Sequence, residues 1–200
     1  MKYMIASDIH GSATCCEKLL SYFTGMKCDY LIFLGDLLNH GPRNPLPEGH
    51  NPMKVVELLN PFAWQILACR GNCDADVDQM LMQFPLLSDY TFVVDDGIRM
   101  FCSHGHIYSP ERADGTIAVE GSSLPKIAGP AAVFYGHTHI QVLEKNKAGI
   151  LVCNPGSTSL PKAGSAAGFA VYENRQVTLY DMAGTKLAVS DQLSNSGVER

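Results

Sequence analysis

The 200-residue sequence has no C-x-x-C pair, no run of lysines and arginines, and no apolar run long enough to cross a bilayer. Each absence excludes a class. Seven cysteines, at 15, 16, 28, 69, 73, 102 and 153, are odd in number and scattered, which speaks against a disulfide framework or a thiolate zinc cluster and for reduced thiols in the core. Without a basic patch, stable nucleic-acid binding is not expected, although a nucleotide could still be a substrate. Met1–Ala6 reaches Asp8 too soon for the apolar core of a signal peptide, so neither export nor a membrane partner is expected and the cytoplasm is the expected location.

What is present describes a globular chain. The hydrophobic fraction is 46%, the charged fraction 18% and the net charge -5, values that leave no room for a disordered sequence. One domain over 1–190 with a frayed tail over 191–200 accommodates this length. No stretch states an oligomeric order, and a homo-oligomer remains open.

The stretch Phe134-Tyr135-Gly136-His137-Thr138-His139 organises the reading. It follows the apolar run Ala131-Ala132-Val133; if that run is a strand, residues two apart share a face, and His137 and His139 point at one spot. Alone, such a pair is commonly solvated or hydrogen-bonded. The spacing repeats at Asp8-Ile9-His10, after the strand-like Lys2–Ser7 and before a helix near Ser12–Phe23 whose Cys16, Leu19, Leu20 and Phe23 form one stripe. Asp29–Asp36 is a nearly continuous apolar run, as for a strand buried on both faces, and it too ends in a carboxylate.

Residues 37–52 hold too many breakers for regular structure and form a long surface loop. A helix over Met53–Leu59 leads to a strand over Trp64–Cys69, which runs into Arg70-Gly71-Asn72-Cys73-Asp74. A helix near Ala75–Gln83 precedes a hairpin of Tyr90–Val94 and Ile98–Ser103 around Asp95-Asp96-Gly97, which delivers His104-Gly105-His106. Residues 107–130 read as a loop with at most one short helix. Strands follow near Val142–Lys145, Ile150–Cys153, Gly168–Glu173 and Gln176–Asp181. Asn154-Pro155-Gly156-Ser157 is a turn, either plain or with an anion-facing backbone.

Five strand-like segments therefore end in ligand-type residues: Asp8 and His10, Asp36, Asn72, His104, and His137 with His139. In an open α/β sheet, sites lie beyond the carboxyl ends of strands, so these ends can converge. Seven side chains are too many for one tetrahedral ion and suit two ions sharing a carboxylate. The mixed oxygen and imidazole set favours manganese, iron or zinc over calcium or magnesium.

The order D-x-H, G-D, G-N-x-D, H and G-H-x-H, matched by Asp8-Ile9-His10, Gly35-Asp36, Gly71-Asn72-Cys73-Asp74, His104 and Gly136-His137-Thr138-His139, resembles the calcineurin-like metallophosphoesterases. Leu38-Asn39-His40-Gly41-Pro42-Arg43 and Asn154-Pro155-Gly156-Ser157 are similar, more narrowly, to small bacterial phosphodiesterases within that family. The resemblance implies a four-layer α/β/β/α sandwich with two mixed β-sheets. It also implies two divalent ions, manganese first, with iron, zinc, nickel or cobalt as alternatives. Asp8, His10, Asp36 and His139 would hold one ion and Asp36, Asn72, His104 and His137 the other, with Asp36 bridging. The implied reaction is hydrolysis of a small phosphodiester by an activated water, with Asp36, Asn72, Cys73 and His104 at the catalytic centre.

Cys73 departs from the family, which often has His after G-N; an imidazole there can protonate a leaving alkoxide, and a thiol does so poorly. Weak monoesterase activity is the expectation, with Cys73 as a mere filler the alternative. Asn39, His40 and Arg43 follow Asp36 closely enough to line the mouth. Arg43 is either a phosphate fork or a solvated loop arginine, His40 a supporting group or proton carrier, His106 a bystander or supporting group, and His50 a surface residue. The other function class is a protein-contact scaffold on the same fold, like a vesicle-coat subunit with a weakened metal site. The presence of His10 argues against it.

Overall fold

All five ligand-bearing segments contain strands in the computed structural model of the chain, which describes residues 1–111, 116–117, 123–124 and 131–194. The strands are β1 (Lys2–Ala6), β2 (Tyr30–Phe33), β3 (Ile66–Ala68), β5 (Ile98–Ser103) and β6 (Ala132–Phe134), with β4 (Tyr90–Asp95) forming the predicted hairpin with β5. After them come β7 (Gln141–Lys145), β8 (Leu151–Pro155), β9 (Gly168–Glu173), β10 (Gln176–Asp181) and β11 (Lys186–Val189).

They build two mixed sheets, β11-β10-β9-β1-β2-β3 and β4-β5-β6-β8-β7. Within the first, β1, β2 and β3 are parallel; within the second, β5, β6 and β8 are parallel. All five ligand-bearing strands therefore belong to the parallel parts of the two sheets.

Alternation along β1 and β2 sorts side chains into two cores. Met4, Ala6, Leu31 and Phe33 pack with α1 (Ala13–Gly25) and α2 (Pro52–Leu59), whereas Tyr3, Ile5, Ile32 and Leu34 meet Met100, Cys102, Ala132 and Phe134 between the sheets. This double burial accounts for the unbroken apolar run before Asp36. Truncating one of these aromatic residues, Phe33→Ala for instance, would cost about 3–5 kcal/mol. On the outer face of the second sheet Phe101, Val133 and Val152 are also buried. The 107–130 segment lies mostly outside the described residues.

Both long helices start as their sequences direct. Ser12 Oγ accepts from Cys15 N at 3.2 Å, and Asn51 Oδ1 accepts from Lys54 N at 3.1 Å with Pro52 following. Other boundaries differ from the sequence reading. Trp64 lies in a 3-10 helix, Asn60–Gln65, started by Pro61 and leaving the indole 75% exposed, so β3 is only three residues long. The helix expected over Ala75–Gln83 is a four-residue turn, α3 (Asp76–Gln79). Within the expected tail, Leu193 is buried and its N–H donates to Arg175 O at 2.7 Å, so the chain is not frayed there; residues 195–200 lie outside the described ones.

Candidate metal centre

The strands stop before their ligands. β1 ends at Ala6, β2 at Phe33 and β6 at Phe134, so the paired residues are not on a shared strand face as the spacing suggested. Instead Asp8, His10, Asp36, His137 and His139 all have left-handed backbone, with φ of 57°, 51°, 55°, 67° and 61°. Each such non-glycine residue costs on the order of 1–3 kcal/mol and persists only where its surroundings hold it. Here the turns are zipped together: Asp8 N donates to Gly35 O at 3.0 Å, His10 N to Asp36 O at 2.9 Å and Gly11 N to Leu37 O at 2.8 Å. Two glycines permit the close packing. A Cβ on Gly71 would strike the Asp36 carboxylate, and one on Gly136 would strike Ser7 Oγ.

Backbone carbonyls fix the imidazoles. His10 Nδ1 lies 2.7 Å from Asn39 O, His104 Nδ1 lies 2.7 Å from Leu34 O, and His139 Nδ1 contacts Leu160 O. A carbonyl can only accept, so each Nδ1 donates, and each neutral ring presents its Nε2 lone pair to the centre. Those lone pairs face other acceptors. His10 Nε2 is 3.1 Å from His139 Nε2, and His104 Nε2 is 3.1 Å from Asn72 Oδ1. Asp8 Oδ1, fully buried and without a hydrogen-bond partner among the described residues, lies 3.2 Å from His139 Nε2 and 3.6 Å from His10 Nε2. Acceptors converging without donors in a buried place require a cation, and the oxygen and imidazole donors suit a divalent transition ion.

Asp36 joins the two groups. Its Oδ1 accepts from Cys73 N at 2.8 Å, while Oδ2 lies 3.8 Å from His10 Nε2 and 3.5 Å from His104 Nε2. Asp8 with His10 and His139, and Asp8 with Asp36 and His104, are close enough for a shared ion; so is His10 with Asp36 and Cys73. The His137 ring is centred 5.1 Å from that of His104, and its backbone N–H donates to Asp8 Oδ2 at 3.1 Å.

Electrostatics follow from this crowding. Burial alone would raise Asp8, but His104, His10 and His139 hold it well below the usual carboxylate range. Burial opposes charge on His10, yet Asp8, the Asn39 carbonyl and Asp36 lift its pKa above the usual histidine value. Burial and His104 lower His137. Burial, then His104 and His137, push His106 down to about 4. Burial, then Asp36, Asp74 and Asp8, push the Cys73 thiol up to about 12, so it stays neutral and a poor acid.

Several residues take positions the sequence did not indicate. Asn39 is not in the lining of the cavity over the site: its carbonyl holds His10, and its side-chain amide donates to Asp78 Oδ2 at 3.1 Å and Cys73 O at 3.2 Å. The His40 ring packs edge-on against His50, 5.5 Å between centroids, and His50 is half-buried rather than a surface residue. Asp74, quoted in the G-N-x-D stretch without a role, accepts backbone N–H groups of Gly71, Asp36 and Leu37 at 2.7, 2.8 and 2.9 Å, clamping two ligand turns together. Asn154 and Pro155 end β8, and the Asn154 side chain donates to Gly136 O and Thr138 Oγ1. Ser157 Oγ donates to Asp8 O at 2.7 Å. The Asn-Pro-Gly-Ser stretch is thus a brace for both ligand pairs.

A cavity of about 340 Å³ opens over the cluster, lined by Asp36, Asn72, His137 and His139 together with Thr138, Arg43, Asn44 and Lys162. Arg43 lines this cavity, which fits either a phosphate fork or a solvated loop arginine; Lys162, which lies far in sequence from every ligand stretch, was not foreseen. Among the described residues, no helix is long and apolar enough to cross a membrane.

The chain is similar to known proteins in sequence and in fold. Phosphodiesterase YfcE of Escherichia coli K12 is 44% identical over 174 residues, covering 87% of this chain and 88% of that protein. The solved structure of that E. coli phosphoesterase superposes with a TM-score of 0.85 at 41% identity, covering 95% of this chain and 98% of the other. Vps29 of Entamoeba histolytica, solved with zinc, shares the fold at 15% identity with a TM-score of 0.64, covering 95% of this chain and 96% of its own. Residues 1–176 match the calcineurin-like phosphoesterase superfamily domain, and the chain belongs to that superfamily.

Proposed function

We propose that the protein is a metal-dependent phosphodiesterase that hydrolyses a small phosphodiester with two divalent ions, manganese first, held around Asp36. One observation carries this reading: Asp36 Oδ2 lies within 3.8 Å of His10 Nε2 and 3.5 Å of His104 Nε2, so a single carboxylate serves two histidine-lined places. Asp8, His10 and His139 would complete one, and Asn72, His104 and His137 the other. The 44% identity to a protein named a phosphodiesterase supports the reaction class. When bound, divalent ions supply Lewis acidity that makes a water nucleophilic at neutral pH and neutralises phosphoryl oxygens.

The chain's residues account for the rest. Backbone carbonyls keep the Nε2 lone pairs aimed inward, and buried Asp8 stays ionised. Neutral Asn72 adds a ligand without adding negative charge. The Arg43 guanidinium, at the cavity wall, can fork onto an oxyanion of the bound substrate. The thiol beside Asn72 is a poor acid, because burial and nearby carboxylates hold Cys73 neutral. Alcohols that leave without protonation are therefore favoured, and diesters with good leaving groups should outrun monoesters. His10 in place, with its orienting carbonyl, favours catalysis over a scaffold role.

The test is hydrolysis of bis(p-nitrophenyl) phosphate and p-nitrophenyl phosphate by chelator-stripped protein with and without manganese. Diester cleavage only with metal, and poor monoester cleavage, is the expected result. If ions bind and no divalent metal restores either activity, the scaffold reading replaces this one.

A further inference from the structure

Two cations stand at the cavity over the ligand cluster, and they come from separate loops. Arg43 lies between β2 and α2, and Lys162 between β8 and β9. Both side chains are exposed, and neither has an ion pair or hydrogen bond within the described residues. Exposed lysines and arginines usually face only water; these two are set apart by their place at the cavity wall.

The backbone at Lys162 is locked to the site. Its N–H donates to His139 O at 3.1 Å, its carbonyl accepts from Ser165 N at 2.9 Å, and Ala163 and Gly164 turn the chain with φ of 50° and 77°. Two residues earlier, Leu160 carries the carbonyl that orients His139, and its N–H donates to Ser157 Oγ at 2.8 Å. Arg43 is followed by Asn44, whose side chain donates to His40 O at 2.8 Å and steadies that loop. Each cation is thus presented by a braced segment.

Charge balance then matters. Among the described residues, Asp36 is the one carboxylate lining the cavity, and it is engaged by Cys73 N–H and flanked by His10 and His104. A phosphodiester carries a single negative charge, which the ions held around Asp36 already meet. Arg43 and Lys162 leave two positive charges over, and the cavity, about 340 Å³, has room for more than a bare phosphodiester group.

We propose that Arg43 and Lys162 form a subsite for a second anionic group, so that the preferred substrates are small diesters bearing a carboxylate or a further phosphate on one alcohol arm. This rests on the phosphodiesterase reading. The guanidinium fork and the lysine ammonium suit an oxyanion with several acceptor atoms, and neither gains from an uncharged arm.

The test uses the manganese-loaded protein and three p-nitrophenyl diesters whose second arm is phenyl, carboxyphenyl or phosphorylated phenyl. The expected kcat/KM ratio of a charged-arm diester to the phenyl diester is about tenfold or more, falling as salt rises. Lys162→Met should reduce that ratio several-fold through KM, and Lys162→Arg should restore most of it; Arg43→Met should act in the same direction. A larger ratio for the carboxyphenyl or the phosphorylated arm identifies the anion within the proposed class. A ratio near one in the unaltered protein, or a ratio unmoved by Lys162→Met, overturns the subsite while leaving the diesterase reading intact. If none of the three diesters is cleaved, both readings fail.

Discussion

His10 and His139 point their Nε2 atoms at each other across 3.1 Å, while the Nδ1 of each is committed to a backbone carbonyl. Two lone pairs at that distance repel unless a proton or a metal ion lies between them, and His104 Nε2 facing Asn72 Oδ1 repeats the arrangement. His10→Ala should therefore weaken one ion by more than the about 10–100-fold that losing an outer hydrogen-bond partner costs, leaving the other ion bound. Asp36→Ala, which removes the shared carboxylate, should weaken both. Metal content after equilibrium dialysis separates the two variants; equal losses in both would contradict the bridging role.

Metal loading should release protons. In the metal-free protein Asp8, the Asn39 carbonyl and Asp36 raise His10 above its ordinary pKa despite burial, so a proton competes with an ion for the ring. An ion needs the neutral ring, so affinity should rise with pH through the raised His10 pKa, and net proton release should fade above it. The same shift makes His10 protonation stabilise the metal-free fold below the unfolded pKa of about 6.5, a contribution lost as pH rises through the folded value. Calorimetric manganese titrations in buffers of different ionisation enthalpy measure the proton count. A count of zero at pH 6.5 would contradict the assignment.

The strands and the ligand-type residues after them were legible because each apolar run is followed within a few residues by Asp, His or Asn. The reason for the two-residue spacing was not: the pairs converge through left-handed turns, and backbone φ leaves no mark in hydropathy. Asn39 was misplaced because nearness to Asp36 in sequence says nothing of whether carbonyl or amide faces the site. Lys162 and the Asp74 clamp depend on distant segments meeting, which only tertiary packing reveals. β11 went unseen because Lys186–Val189 is a largely exposed edge with no buried face to set a pattern.

Cys73→His should bring monoesters within range. A histidine there could protonate a departing alkoxide, a contribution of about 10²–10⁴-fold in rate for general acid catalysis, which the neutral Cys73 thiol forgoes. The readout is kcat/KM on p-nitrophenyl phosphate and on an alkyl phosphate monoester, where protonation matters more. An unchanged substrate range would mean that residue 73 does not face the leaving group.

Thiol chemistry offers an independent check on packing. Burial pushes Cys16 and Cys69 up to about 12 and Cys28 up to about 11, and raises Cys102 and Cys153 as well. At pH 8 a thiol with a pKa of about 12 is roughly one part in ten thousand thiolate. A disulfide reagent should then react rapidly in the folded protein with no more than the half-buried Cys15, and with all seven cysteines after denaturation. Rapid reaction of three or more thiols in the folded state would contradict the buried core.

The most direct measurement is a manganese titration of chelator-stripped protein in which bound ions and bis(p-nitrophenyl) phosphate hydrolysis are followed together. Two sites joined by Asp36 predict that two ions bind per chain and that activity follows occupancy of the second. Full activity with one ion bound, or hydrolysis by the stripped protein, would contradict the account.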